Sequence, residues 1–395
     1  MKELIRTCCG VIKRIPMILT QLMPRDKDLY IFGAWLGQKF SDNSRALFLY
    51  ALEHSDKKCV WICNNKSVYE KLKADGLPVL MAYSLKGLYT QARAGAAFSC
   101  VGDGDFCRQM LGGCTHVSLW HGVGGCKKIG MDDREYRDNA LSFHGRVYSF
   151  LEEKPLKKHY FIYTSEETKK VFKTAFLVPD DHFIHGGQPR NDMFYDPDYR
   201  PQTISHDEFG GKKVIVYMPT HRKTGQVRMD MSKLLDLPAL NDFCEKHNAV
   251  FLIKKHFYHG AEKEDLSAFP NIMDITNRPV DSNELMLATD YLISDYSSCT
   301  GDYVLLDRPM FFYCFDYQDY VSLDRDMYWP YDSVTPGAHC TQFSQLLESL
   351  EQALQGSDPY AAERKRVRDM YYDETCQSAC SGMILEQVEK ILEKQ

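Results

Sequence analysis

The chain has 395 residues, about two domains' worth, and 44% hydrophobic content supports full-sized cores. Its formal charge of −6 argues against general affinity for nucleic acid. Fourteen cysteines occur without a Cys-x-x-Cys pair, so they read as reduced, buried thiols rather than a disulfide framework or a zinc site. Cys59 and Cys63 lie in an apolar strand-like run, and Cys376 and Cys380 stand one helical turn apart without matching histidine ligands.

Residues 1–28 are set apart. Leu4, Ile5, Cys8, Ile12, Ile15, Leu19 and Leu22 form a helical stripe, with Lys2, Arg6, Lys13 and Arg14 mostly off it. The stretch is too short and too charged to span a bilayer, and it shows no small-residue cleavage site. Two readings stay open: a basic amphipathic helix on an anionic membrane surface, or a helix packed on the protein's own body.

From Leu29, short apolar runs alternate with helical patterns. Strands are predicted at Tyr30–Gly33, Val60–Cys63, Val79–Met81, Ala96–Cys100, Val117–Trp120 and Phe161–Tyr163, and Ser41-Asp42 reads as the cap of a helix reaching about His54. Gly122 to His159 breaks the rhythm and reads as loops and helices over a cleft. Pro197 to Gly211 is polar and Pro/Gly-marked, an interdomain linker. A second series follows, with strands predicted at Val214–Met218, Val250–Lys254, Ile272–Ile275, Tyr291–Ser294 and Met310–Tyr313, then a helical tail from Gln342. The pattern is α/β, with two Rossmann-like domains facing a central cleft: 29–196, and 212–395 with the helical tail included.

Chemistry-bearing residues gather at predicted strand ends, where such folds place ligand groups. His121 ends an apolar run before Gly122, and a neutral imidazole there can take a proton from a hydroxyl; a structural histidine is the bland alternative. His256 ends Phe251–Lys255 and can donate to a phosphate or leaving group. Lys254 and Lys255 read as ordinary strand-end charges. Pro219-Thr220-His221-Arg222 offers a hydroxyl and a guanidinium fork suited to phosphate, or a plain polar turn. Ser294-Asp295-Tyr296-Ser297-Ser298 leads into a helix expected near Ser297, whose free N–H groups favour an anion. Asp302, one turn on, either orients that helix or contacts a ribose.

As a set these segments resemble the CDP-glycerol glycerophosphotransferase family, the teichoic acid and capsule primases and polymerases. The resemblance rests on Trp120-His121-Gly122 with Lys127-Lys128-Ile129-Gly130, on Gly187-Gln188-Pro189-Arg190-Asn191-Asp192, on Pro219-Thr220-His221-Arg222, on Lys254-Lys255-His256 and on Asp295-Tyr296-Ser297-Ser298, over about residues 115–315. It implies a GT-B architecture and transfer of glycerol phosphate or ribitol phosphate from a CDP-linked donor to a lipid-linked or polymer acceptor, with CMP leaving. It implies no resident metal or cofactor, and a monotopic enzyme on the cytoplasmic membrane face. His121 and His256 take the catalytic roles. Thr220, Arg222, Ser297, Ser298 and Asp302 hold the donor. Gly122, Lys127 and Lys128 serve the acceptor side, and Arg190 and Asn191 brace the domain hinge. The chain departs from the usual His-Gly-Thr-Pro, reading His121-Gly122-Val123-Gly124 instead, which puts the acceptor loop in doubt. The rivals are a nucleotide-sugar glycosyltransferase and a non-catalytic assembly scaffold. Oligomeric state is not legible.

Overall fold

The computed structural model describes residues 15–123, 127–142, 145–146, 158–220, 231–255, 266–318, 320 and 326–395. The readings placed on His256, His221, Arg222 and the cationic residues before Ile15 fall outside these. The chain forms two compact units: residues 1–121, 129–196 and 372–395, and residues 122–128 and 197–371.

The first unit is built on a seven-stranded sheet. Its strands are β1 (Asp26–Gly33), β2 (Lys58–Cys63), β3 (Val79–Met81), β4 (Ala94–Ser99), β5 (Thr115–Ser118), β6 (His159–Tyr163) and β7 (Phe183–His185), ordered β3-β2-β1-β4-β5-β6-β7. Every pairing is parallel. Parallel strands are covered on both faces, which is why they read as unbroken apolar runs. Alternation still sorts the side chains. Tyr30 and Phe32 enter one core with Trp61 and Phe98, and Ile31 enters the other with Ile62 and Ala97.

The second unit carries a six-stranded parallel sheet of β8 (Lys213–Tyr217), β9 (Ala249–Ile253), β10 (Ile272–Asp274), β11 (Tyr291–Ser294), β12 (Met310–Tyr313) and β13 (Ala338–Cys340). Its order is β10-β9-β8-β11-β12-β13. Ile215 and Tyr217 face one core, Val214 and Val216 the other. In both sheets the order reverses beside the first strand, between β1 and β4 and between β8 and β11. At such a switch point the loops beyond the strands diverge and leave a ligand crevice.

The eleven predicted strands all form, with ends within about two residues except that β1 starts four residues earlier, at Asp26, but β7 and β13 went unread. Each has three residues and includes a histidine, too little for an alternation signal. Three boundaries differ from the sequence reading. Residues 122–128 belong with the second unit. Residues 197–211, expected as a linker, are tied down on the second unit. The buried Glu284 carboxylate accepts from Tyr199 Oη (2.6 Å), Gln202 N (3.0 Å), Thr203 N (2.6 Å) and Thr203 Oγ1 (2.5 Å). Burial pushes its carboxyl up, but these donors outweigh that and hold it below the usual glutamate range.

The third difference is the tail. Residues 372–395 belong to the first unit, not the second. Ile384, Leu385, Val388 and Leu392 of helix Ser381–Glu393 join the core formed by β1, β2, β4 and helix Asp42–His54. The helix start is capped from afar: Asp192 accepts from Cys380 N (2.8 Å), Ser381 N (3.0 Å) and Ser381 Oγ (2.5 Å), a negative group at the positive helix end. Gly187 lets this approach happen, since a Cβ there would stand 3.1 Å from Cys380 Sγ.

Ile384→Ala should therefore destabilise the first unit by about 2–5 kcal/mol, the usual range for deleting a buried aliphatic chain. Trp35, Trp61 and Trp120 lie in the first unit, so in a Trp329→Phe background tryptophan fluorescence reports that unit alone. An unshifted urea midpoint for this signal would separate the last helix from the first core.

Candidate active site

His121 follows β5 at the carboxyl edge of the first sheet. Its ring is held by its surroundings. Nδ1 lies 3.2 Å from the carbonyl oxygen of Cys100, just beyond β4. A carbonyl only accepts, so Nδ1 carries the hydrogen and Nε2 is left with its lone pair. Trp120 packs against the imidazole with centroids 4.2 Å apart, and Trp35, just beyond β1, at 5.5 Å. Burial lowers the histidine below its ordinary value, Asp42 and the Cys100 carbonyl oppose that, and Arg190 adds to the lowering. The net result is a neutral imidazole at pH 7, fit to accept a proton at Nε2.

The backbone that delivers His121 is strained. Trp120 sits at φ +53°, where a bulky side chain crowds the backbone, and Asp42 at φ +68°, a conformation aspartate tolerates better. A polar network pays back this strain. Asn43 Nδ2 donates to Trp120 O (3.0 Å), Leu119 O (3.3 Å) and Gln188 Oε1 (2.5 Å), while its Oδ1 accepts from Arg190 N (3.1 Å). The Arg190 guanidinium pairs with Asp42 (2.7 Å) and donates to His121 O (3.1 Å). Arg190 and Asn191 were expected at a domain hinge. Within the first unit Arg190 braces the histidine turn, and Asn191 donates to Tyr372 Oη (3.3 Å). Ser41 was expected to cap its helix, but its side chain makes no cap hydrogen bond there.

Asp105 supplies a further brace. It accepts from Leu36 N (2.6 Å), Cys100 N (3.0 Å) and Val101 N (3.0 Å), tying the loop after β1 to the segment that orients His121. Burial pushes its carboxyl up to about 6 against these three donors. Asp42, Asn43, Gln188 and Asp105 were not read as site residues. Only the proximity of Gln188 to Arg190 in one motif hinted at them.

In the second unit, Thr220 follows β8 and Asp295 follows β11, the two strands of the switch point. Asp295, not a serine, is the hub. One oxygen of its buried carboxylate accepts from Thr220 N (2.8 Å), Thr220 Oγ1 (2.5 Å) and Tyr296 N (2.6 Å), and its backbone carbonyl accepts from Tyr331 Oη (2.8 Å). The Thr220 hydroxyl spends its proton on Asp295, so it does not offer that proton to a phosphate. Ser297 is half-buried and Ser298 exposed. The helix expected near Ser297 begins only at Thr300 and runs four residues before tightening into a 3-10 turn. So short a helix carries little dipole. Asp302 is buried at 3% exposure within that helix, which suits orientation of the turn better than contact with a ribose.

Lys127 and Lys128, expected on the acceptor side, are stitched into the second unit. Lys127 pairs with Met327 in an antiparallel bridge, and Lys128 N donates to Asp326 O (2.8 Å). The Lys127 ammonium lies 4.9 Å over the Tyr320 ring, which itself stacks on Tyr296 at 3.6 Å. Gly122 is buried, and Val123 packs at Gly301. Lys254 donates to the carbonyls of Ile275, Thr276 and Arg278, and Lys255 pairs with Asp274 at 3.2 Å within the unit.

Two parallel α/β units, each with its polar groups at the switch point, define the architecture shared by GT-B transferases and related nucleotide-sugar enzymes. The chain matches over its full length the solved wall teichoic acid polymerase TagF, with a TM-score of 0.74 at 22% identity, covering 98% of that chain. It also resembles a putative UDP-N-acetylglucosamine 2-epimerase from Listeria monocytogenes, with a TM-score of 0.52 at 11% identity over 94% of this chain and 98% of that one. Residues 16–387 match the CDP-glycerol:poly(glycerophosphate) glycerophosphotransferase family, and the chain belongs to it. Among its relatives, the teichoic acid glycerol-phosphate transferase of Staphylococcus aureus is 27% identical over 360 residues, 89% of each chain. The ribitol-phosphate polymerase TarK of the same organism is 32% identical over 248 residues, 60% of this chain and 45% of the relative. The chain thus spans less than half the length of TarK and nearly all of the transferase.

The imidazole of His121 should titrate below 6.5 with its hydrogen on Nδ1. Asp42→Asn removes the negative charge that opposes the lowering, so the titration should move further down. Histidine-selective NMR, assigned with His121→Gln, reads both. A titration at or above 6.5, or one that rises in Asp42→Asn, contradicts the environment described.

Proposed function

We propose that the chain transfers glycerol phosphate from CDP-glycerol to a hydroxyl of a lipid-linked or polymer acceptor, releasing CMP, in the synthesis of a teichoic acid-like or capsule polymer. The observation that carries this reading is the fixed tautomer of His121, which leaves Nε2 basic in a neutral ring. His121 takes the acceptor proton as the acceptor oxygen attacks the β-phosphorus of the donor. One P–O bond forms, the bond to the bridging oxygen breaks, and CMP departs with the electron pair; the proton ends on His121. Ser297, Ser298 and the neighbouring backbone, held by Asp295, bind the donor phosphates, with Thr220 positioned by the same carboxylate. His256 and Arg222 keep their sequence-based roles, leaving-group stabilisation and phosphate binding. Mutual in-line positioning and charge neutralisation are the larger part of such catalysis.

The shared ancestry with ribitol-phosphate polymerases makes CDP-ribitol the second donor to test. Purified protein, given each donor separately with candidate lipid acceptors, should release CMP with one polyol strongly preferred. His121→Ala should cut turnover by about a hundredfold or more, and the acid limb of kcat/KM should lie below 6.5. A folded His121→Ala protein with near-normal CMP release, or no turnover with either donor, would sink the proposal.

We also infer attachment to the cytoplasmic membrane surface. The helix over 15–21 docks through Met17 and Thr20, whose hydroxyl donates to Gln109 O (2.9 Å). Its other side leaves Ile15, Ile18, Leu19 and Leu22 open to solvent, Leu22 at 81% exposure. Both sequence readings of this helix therefore have support, one for each face. Among the described residues no helix is long and apolar enough to cross a membrane, so contact would be with one leaflet. Replacing Ile15, Ile18, Leu19 and Leu22 together with serine should abolish co-sedimentation with anionic vesicles while leaving the fold and soluble-acceptor turnover intact. Unchanged vesicle binding would refute this attachment.

A further inference from the structure

We propose that His185, Asp373 and Cys376 form a binding site for a single thiophilic divalent cation, zinc by preference, apart from the residues assigned to catalysis. The sequence reading found no histidine to match Cys376. The fold supplies one 191 positions away: His185, at the end of edge strand β7, meets the 3-10 turn Glu374–Cys376 that leads to the last helix. His185 Nε2 lies 2.6 Å from Asp373 Oδ2 and 3.5 Å from Cys376 Sγ, and the three donor atoms lie within 4.8 Å of one another.

The spacing suits a tetrahedral ion. With bonds of about 2.0–2.1 Å to nitrogen and oxygen and about 2.3 Å to sulfur, ligand atoms stand roughly 3.3–3.6 Å apart. The imidazole–sulfur distance is already in that range. The imidazole–carboxylate pair needs to open by roughly 0.7 Å, which a small side-chain rotation provides. The donor set of one thiolate, one imidazole and one carboxylate selects zinc over magnesium or calcium.

The surroundings orient each ligand. Asp373 Oδ1 accepts from Thr375 Oγ1 (2.9 Å) and Cys376 N (3.3 Å), which turns Oδ2 toward His185. Asp373 N donates to Thr164 O (2.9 Å), and the carbonyl of His185 accepts from Gln387 Nε2 (2.6 Å). Outer partners of this kind fix ligand direction in metal sites. An exposed His–Asp pair alone contributes little to stability and calls for no cysteine, yet Cys376 is buried at 2% exposure beside it. Burial and the Asp373 carboxylate push the Cys376 thiol up, so the metal-free group is a thiol. Binding replaces the S–H bond with a metal–sulfur bond and releases the proton to solvent. His185 and Asp373 are partly exposed, which leaves a route for entry and a fourth position for water. An ion there would pin the turn before the last helix to β7.

The test uses the full chain, stripped of metal by chelator and titrated with cobalt(II), then zinc. One equivalent of cobalt should give a thiolate-to-metal charge-transfer band, which zinc should displace. His185→Ala and the near-isosteric Cys376→Ser should each weaken binding at least about tenfold, while Cys380→Ser keeps the band. Circular dichroism confirms that each variant is folded, and Cys376→Ser carries the test should His185→Ala misfold. Absence of the band, or a band that survives Cys376→Ser, overturns the proposal.

Discussion

The hydrogen bonds from the Asn43 amide to the carbonyls of Leu119 and Trp120 are the constraint on which the first unit's chemistry rests. They hold the chain as it leaves β5 in a left-handed turn that Trp120 would not adopt unaided. The same amide group reaches Gln188 and, through its oxygen, Arg190, so the segment after β7 and the start of helix Asp42–His54 close on one turn. His121 then needs only the Cys100 carbonyl to fix its hydrogen. Without these partners the turn that carries the imidazole loses its bracing.

The second unit solves a similar problem with a different group. The carboxylate of Asp295 gathers the turn after β8 and the turn after β11, the two strands flanking the sheet's switch point. A buried carboxylate oxygen that accepts several N–H and O–H donors is held in one orientation by them. The serines beyond it are bonded into the following turn mainly through their carbonyls, which accept from Thr300 Oγ1 and Gly301 N, while the Ser297 hydroxyl accepts from Cys299 N (3.4 Å).

The strand series was legible because parallel strands buried on both faces write continuous apolar runs, as in Val214–Tyr217. The place of His121 just past a strand was legible because it closes an apolar run. What stayed hidden is tertiary and polar. Asp42 and Asn43 read as ordinary helix-start residues, and nothing local reveals that their partners stand far along the chain. The apolar stripe of Ser381–Glu393 announces a packed helix but not which core receives it. The lysines at 127 and 128 were read with the domain that precedes them, because a short segment that changes unit leaves no mark in composition. His185 and Cys376 share no spacing that a motif could capture.

The return of residues 372–395 to the first unit has a consequence for biogenesis. During synthesis, the first sheet emerges complete through β7 yet lacks Ile384, Leu385, Val388 and Leu392. The whole second unit must be translated before they arrive. One face of the early-made core thus waits uncovered while the later-made unit, except for its small 122–128 segment, has all its chain in hand. Apolar surface left open in this interval invites association with other chains. The late helix therefore acts as the closing step of folding, and the order of completion runs against the order of synthesis.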